Sequence, residues 1–62
     1  MDKYHSYALA ASNAEKLERY KDAAYYWSKA ALFSNNIDNR EWAIRRRRFC
    51  LMRLKHRGLL GY

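Results

Sequence analysis

The sequence contains no proline, only two glycines and a single cysteine among its 62 residues. Proline and glycine are the poorest helix formers, whereas the abundant alanine, leucine, lysine and arginine are good ones, so the composition indicates helices. One cysteine cannot form a disulfide within the chain. A chain this short buries only about 60% of its unfolded surface. Helix packing, self-association or a larger partner must therefore stabilise it.

Several kinds of site and segment are also missing. His5 and His56 lie far apart without zinc-ligand spacing, so we expect no metal and no other cofactor. The acids show no paired arrangement, and no histidine–carboxylate couple accompanies Cys50, so we expect no enzyme activity. The polar N-terminus, Met1-Asp2-Lys3, and the absence of any apolar run near ~18 residues predict neither a signal peptide nor a membrane span. With its lone thiol, the chain is expected to be cytoplasmic, with no membrane partner.

The charge is unevenly distributed. Lysine and arginine outnumber the acids by 13 to 6, which gives a net charge of +7. Residues 1–39 carry five charges of each sign, whereas residues 40–62 carry eight basic residues and one acid. The last third is therefore expected either to meet something acidic or to be repelled by its own copies. The charge alone does not distinguish nucleic acid from protein.

The spacing of apolar residues predicts three helices in one domain covering residues 1–62. The first runs from about Lys3 to Glu18, the second from about Lys21 to Ser34 and the third from about Asn39 to His56. A tight turn at residues 18–20 makes the first two helices antiparallel neighbours. The sequence therefore predicts an all-α fold, with a helical hairpin followed by a basic third helix.

Both ends of the third helix have sequence signals. Asp38, followed three positions later by Glu41, predicts a capping box at its start. Gly58 predicts its end. Residues 57–62 are then expected to form a flexible apolar tail or a strap for self-association.

The third helix carries apolar residues on two sides. Trp42, Phe49 and Cys50 share a broad face, whereas Ile44 and Leu51 form a smaller patch on the far side. We expect the hairpin to cover one patch and a different molecule to cover the other. The predicted structural core consists of Tyr7, Ala11, Tyr20, Ala23, Trp27, Ala30, Trp42, Phe49 and Cys50.

Cys50 lies among arginines, and two interpretations of its thiol are open. Nearby positive charge would lower its pKa and make it reactive. Alternatively, the thiol is a buried structural group, which is the interpretation we favour.

The run from Arg45 to Arg48 has three interpretations. It is a solvated face, a patch that binds phosphates without reading sequence, or a contact for carboxylates on a protein. We favour the protein contact, because arginine pairs with carboxylates in a bidentate manner. Arg46 points the same way as Trp42 and Phe49, which favours stacking on an aromatic ring. The candidate partner-binding residues are Tyr25, Tyr26, Arg40, Ile44, Arg45, Arg47, Arg48 and Leu51.

Residues 7–35 resemble one tetratricopeptide-type hairpin. Its small and aromatic packing positions match Tyr7, Ala10, Ala11, Ala14, Tyr20, Ala23, Trp27 and Ala30. Glu18 stands in place of the glycine usual in the turn, and Asn35 replaces the closing proline. Because one repeat cannot bury its face alone, the resemblance implies that the third helix packs as the first helix of a next repeat.

Residues 4–53 resemble the AraC negative regulator (ANR) family of small bacterial proteins. The similarity lies in Tyr20, Asp22-Ala23-Ala24, Trp27, Ala30, Asn39-Arg40-Glu41-Trp42-Ala43, Arg46 and Phe49-Cys50. It implies a regulator that binds AraC/XylS-type transcription activators, keeps them from dimerising or engaging DNA, and damps virulence gene expression. We also expect a homodimer, because the core is small. The alternative is a modulator that acts through the third helix on nucleic acid or on a nucleoid-structuring protein.

Overall fold

The computed structural model describes the backbone of residues 2–60 and the side chains of residues 2–56. It contains three helices, α1 (Lys3–Lys16), α2 (Tyr20–Leu32) and α3 (Ile37–Leu60), and no strand in the described backbone. The prediction of an all-α chain with three helices is confirmed. The middle helix, α2, packs against both α1 and α3. In the part of the chain that is described, no helix has both the length and the apolarity to cross a membrane.

The turn between α1 and α2 depends on a left-handed residue. The backbone N–H of Arg19 donates to the carbonyl of Ala14 at 2.8 Å, and that of Glu18 donates to the carbonyl of Glu15 at 2.9 Å. These two bonds form a Schellman motif, which requires a positive φ at the residue after the helix cap. Glu18 has a φ of 58° there. The motif ends α1 at Lys16, two residues earlier than predicted.

The predicted signals at both ends of α3 are wrong. The side-chain oxygen of Asn36 accepts from the backbone N–H groups of Asp38 at 2.8 Å and Asn39 at 3.1 Å. Asn36 is thus the N-cap, and the helix begins at Ile37 instead of after an Asp38–Glu41 capping box. The backbone remains helical through Gly58, so this glycine does not end the helix. No described glycine has the positive φ that is typical of a residue ending a helix. The predicted tail at residues 57–62 falls outside the described side chains.

The core is built mainly from small side chains. Ala11, Ala23, Ala30, Ala43 and Cys50 have no exposed surface, and they bring the helices close together. The bulkiest buried side chain is that of Trp27, which is 3% exposed. Tyr4 and Tyr20 are also buried. Because alanine contributes little apolar area, this core stabilises the fold less than a leucine-rich core of equal length would.

Candidate partner-binding surface

Within the described residues, the longest helix, α3, packs against the rest of the fold on one side only. Its buried and half-buried positions are Asn39, Ala43, Arg46 and Cys50, which recur at steps of four, three and four residues. This spacing defines a single narrow face, and that face packs on α2. The remaining described positions of α3 are exposed.

Three apolar residues form a row on the uncovered side of α3, which we call the α3 stripe: Ile37, Ile44 and Leu51. Their exposed fractions are 66%, 40% and 41%. Seven residues rotate a helix by only about 20° from complete turns, so the three side chains nearly align. Ile44 and Leu51 each follow a fully buried residue, so each projects about 100° away from it.

Ile37 was missed by the sequence analysis. It extends the predicted patch of Ile44 and Leu51 by one more heptad, because α3 begins two residues earlier than the capping-box prediction placed it. The seven-residue spacing from Ile37 to Ile44 was the available signal. The neighbouring asparagine, Asn36, is a good N-cap residue and indicated the same start.

Arginines flank the α3 stripe. Arg47 and Arg48 lie beside it, and Arg45 projects about 100° beyond Ile44. These three arginines are exposed, and none forms an ion pair with a side chain in residues 2–56. Arg40 also lies beside the stripe, and its guanidinium donates to the carbonyl of Ser34 at 3.1 Å. The stripe is therefore an apolar row in a positive field.

The other predicted partner-binding residues lie elsewhere. Tyr25 is 56% exposed and Tyr26 is half-buried. The ring of Tyr26 lies 5.4 Å from that of Tyr25 and 6.4 Å from that of Tyr7. Tyr7 also stacks on Phe33, with ring centroids 5.7 Å apart. These tyrosines belong to an aromatic cluster on α1 and α2, separate from the α3 stripe.

Two predicted core residues are on the surface. Trp42 is 52% exposed and Phe49 is 39% exposed, so the prediction that both lie in the core is wrong. They lie on the flank of α3 beside its buried face, and the helix that packs closely on α3 is α2, not α1. Tyr7 is half-buried. The remaining predicted core residues are buried: Ala11, Tyr20, Ala23, Trp27, Ala30 and Cys50.

A groove between α1 and α3 leaves Trp42 open to solvent. Tyr4 and Leu9 of α1 line it together with Trp42 of α3, and Trp27 of α2 lines it from between them. Glu15 and Arg46 belong to the adjoining pocket.

Glu15 joins all three helices. Its carboxylate accepts from Trp27 Nε1 at 2.6 Å and from Arg46 Nε at 3.3 Å, and it forms a second, close contact with the Arg46 guanidinium. Burial acts to raise the pKa of Glu15, but the hydrogen bonds from Arg46 and Trp27 and the positive charge outweigh it, so the pKa is lowered. The hydrogen bond to Glu15 raises the pKa of Arg46. No local pattern in the sequence indicated this contact between residues 31 positions apart.

Arg46 also packs on aromatic rings, as its position in the sequence indicated. Its guanidinium carbon lies 4.2 Å from the ring centre of Phe49 and 5.8 Å from that of Trp42. Arg46 is therefore held within the fold by a carboxylate and by rings. Of the four arginines in the run, Arg46 is therefore the one whose charge is paired within the fold and does not contribute to the exposed positive surface.

The Cys50 thiol lies in the core. It is completely buried, and desolvation together with the charge of Glu15 raises its pKa to about 12. The hypothesis of a thiol activated by arginines is wrong, because Arg46 lowers the pKa less than burial raises it. Within residues 2–56, histidine, cysteine and acidic side chains form no cluster of three that suits a metal ion.

Comparison with known proteins finds a similarity that covers most of the chain. Over 49 residues the chain is 43% identical to an uncharacterized protein of the Mu-like prophage FluMu region of Haemophilus influenzae. The match covers 79% of this chain and 66% of that protein, so the chain spans slightly less than two thirds of its length. No protein-family model matches the chain, and no solved structure does so significantly.

Proposed function

We propose that this chain is a negative regulator of transcription that binds AraC/XylS-type activators directly. It blocks their dimerisation or DNA binding and so damps virulence gene expression, which is what its resemblance to the ANR family implies. The observation that carries the proposal is the α3 stripe, an apolar row that no described residue covers. Exposed apolar rows of this kind are typical of surfaces that bind another protein.

The mechanism is steric. Apolar side chains of the stripe supply affinity when a partner removes them from water, at about 25 cal/mol per Å². Arg47 and Arg48 steer the approach, set the orientation and discriminate between partners through carboxylate pairing. An activator surface occupied in this way is no longer available to a second activator subunit or to the promoter.

At the level of fold, the proposal includes a tetratricopeptide-like hairpin of α1 and α2, with α3 as the basic first helix of a following repeat. Two observations support it. Glu18 has the left-handed conformation at the position where the repeat usually has glycine. The middle helix, α2, packs against both neighbours, as the second helix of a repeat does.

We further propose that the protein is cytoplasmic. We also propose that it forms a homodimer, because its alanine-rich core is small and association would stabilise it. The dimer contact is a surface other than the α3 stripe, since two copies of that face would bring their arginines together.

A second candidate function is supported by Arg45, Arg47 and Arg48, which are exposed and form no ion pair with a described side chain. They suit a modulator that binds nucleic acid, or a nucleoid-structuring protein, through α3. Phosphate binding through these three arginines would weaken about 40-fold between about 50 and 200 mM salt, and further with each additional basic residue that contacts a phosphate. Docking through an apolar row would weaken only modestly over that range.

The test mixes the purified protein with an AraC/XylS-type activator from the same cell at about 150 mM salt, where charge interactions are screened as they are in cells. Activator dimerisation and promoter binding are followed together, with activator-only and DNA-only controls. We expect the activator dimer to be lost while naked DNA is not shifted by this protein. An unchanged activator dimer, together with salt-sensitive binding of this protein to DNA, would reject the proposal in favour of the second candidate.

A further inference from the structure

The geometry of the α3 stripe suits one particular shape of partner. Ile37 and Leu51 are fourteen residues apart, which corresponds to about 21 Å along the helix axis. The apolar side chains in this row are spaced one heptad apart. A helix whose apolar residues recur at three- and four-residue steps packs along such a row, as in helix-in-groove recognition and coiled coils.

The positive charge beside the stripe determines which charge the contacting surface of the partner must carry. Arg47 and Arg48 form no ion pair with any side chain in residues 2–56, and the two acids of α3, Asp38 and Glu41, lie at its N-terminal end. A second copy of α3 would bring arginine against arginine on this face, which is repulsive. A partner with carboxylates beside its apolar row would instead form bidentate pairs with the arginines.

We infer that the α3 stripe binds a single amphipathic helix with acidic flanks, contributed by the partner protein. The helix lies along α3 on the side away from Ala43 and Cys50, where a fourth helix of the fold would otherwise pack. Its apolar residues contact Ile37, Ile44 and Leu51, and its carboxylates pair with Arg47 and Arg48. The inference rests on the proposed function, since it names the part of the activator that the regulator recognises.

The experiment uses three fluorescently labelled peptides of about 21 residues, three heptads each. The first has leucine at the two core positions of each heptad and glutamate beside them. The second has lysine in place of glutamate. The third has the composition of the first in an order without an apolar row. Fluorescence anisotropy measures the binding of each peptide to the full-length chain at about 150 mM salt.

We expect the glutamate peptide to bind at least about tenfold more tightly than either of the other two. The double variant Ile44→Gln/Leu51→Gln should weaken that binding by a similar factor, whereas Leu17→Gln should not change it. Leu17 is a matched control because it is 67% exposed and lies at the end of α1, away from the stripe. Circular dichroism checks that all variants remain helical.

Three results would overturn the inference: equal binding of the glutamate peptide and its scrambled version, equal binding of the glutamate and lysine peptides, or unchanged binding by the double variant. Charge alone, without the apolar row, gives the first of these results. Failure of the proposed function looks different. In that case the glutamate peptide binds as expected, but no AraC/XylS-type activator binds the chain or competes with the peptide.

Discussion

Glu15 and Arg46 form an ion pair that joins α1 to α3 across the middle helix, although 31 residues separate them in the sequence. Trp27, on α2, donates a hydrogen bond to the same carboxylate. The side chain of Glu15 is 13% exposed and that of Arg46 is 31% exposed, so the pair is only partly screened by water. Together with the packing of α3 on α2, the pair therefore helps to set the position of α3 and the direction in which the α3 stripe points.

The first prediction concerns this ion pair. The variant Glu15→Gln should unfold more easily at pH 7, by about 1–3 kcal/mol, because Arg46 is left without its charged partner. The pKa of Glu15 is lower in the folded protein than its ordinary value of 4.5. Ionised Glu15 therefore contributes its full stabilisation at pH values above 4.5, and this contribution is lost as the pH falls through the pKa of the folded protein. Urea unfolding at a series of pH values measures both effects.

Glu41→Gln is the control for the loss of one negative charge, since Glu41 is exposed and forms no ion pair with a described side chain. It should stay within about 0.5 kcal/mol of the original chain. A Glu15→Gln variant that is as stable as the original chain at pH 7 would contradict the structural role of the pair. A difference in the free energy of unfolding between the original chain and Glu15→Gln that does not shrink as the pH is lowered would contradict it as well.

The second prediction compares the two tryptophans. Trp27→Ala should destabilise the fold by about 3–5 kcal/mol, as expected for deleting a buried aromatic side chain. Trp42→Ala should cost less than about 1.5 kcal/mol, because half of that side chain is already in water. Thermal unfolding of the two variants measures the difference. Equal losses would mean that Trp42 is buried in solution, for example in a dimer.

The third prediction concerns the turn between α1 and α2. Glu18 has a φ of 58°, which glycine adopts freely and a β-branched residue strongly resists. We therefore expect Glu18→Gly to be more stable than Glu18→Val by at least about 1 kcal/mol. Comparing the two variants with each other removes the effect of losing the glutamate side chain, which is common to both. Equal stability would show that the turn does not hold the left-handed conformation.

The fourth prediction concerns the Cys50 thiol. Because the pKa of Cys50 is raised to about 12, almost none of this thiol is ionised to thiolate in the folded protein at pH 8. Alkylation of Cys50 by iodoacetamide should therefore be on the order of 10³-fold slower in the folded chain than in urea. Mass spectrometry follows the reaction. Rapid labelling of the folded protein would show that Cys50 is accessible, contrary to its burial on the face of α3 that packs against α2.

The sequence predicted local features better than contacts between helices. Apolar periodicity was sufficient to find three helices, because alanines such as Ala11 and Ala30 mark the buried faces directly. It placed Trp42 in the core wrongly, since periodicity shows which residues share a face but not whether another helix covers that face. Asp38 was wrongly predicted as the N-cap. The side-chain oxygen of Asn36, two residues earlier, can cap a helix equally well, and it is the one that accepts the first backbone N–H groups. Burial of Glu15 depends on partners from two other helices, which no local pattern encodes.

The candidate site was predicted in part for the same reason. Ile44 and Leu51 lie on the far side of α3 at any plausible helix boundary, so periodicity alone identified their patch. Its third member, Ile37, depended on the helix start and was found only in the structure. The aromatic cluster of Tyr25 and Tyr26 depends on packing with Tyr7 and Phe33 across α1 and α2. That arrangement is tertiary, and it separates these tyrosines from the stripe.

The central claim is that the chain binds an AraC/XylS-type activator through the α3 stripe. Isothermal titration of such an activator with the original chain, with Ile44→Gln/Leu51→Gln and with Leu17→Gln tests it most directly. We predict that the original chain and the Leu17 variant bind with equal affinity and that the stripe variant binds at least about tenfold more weakly while remaining folded. Undiminished binding by the stripe variant, or no binding by the original chain, would contradict the claim.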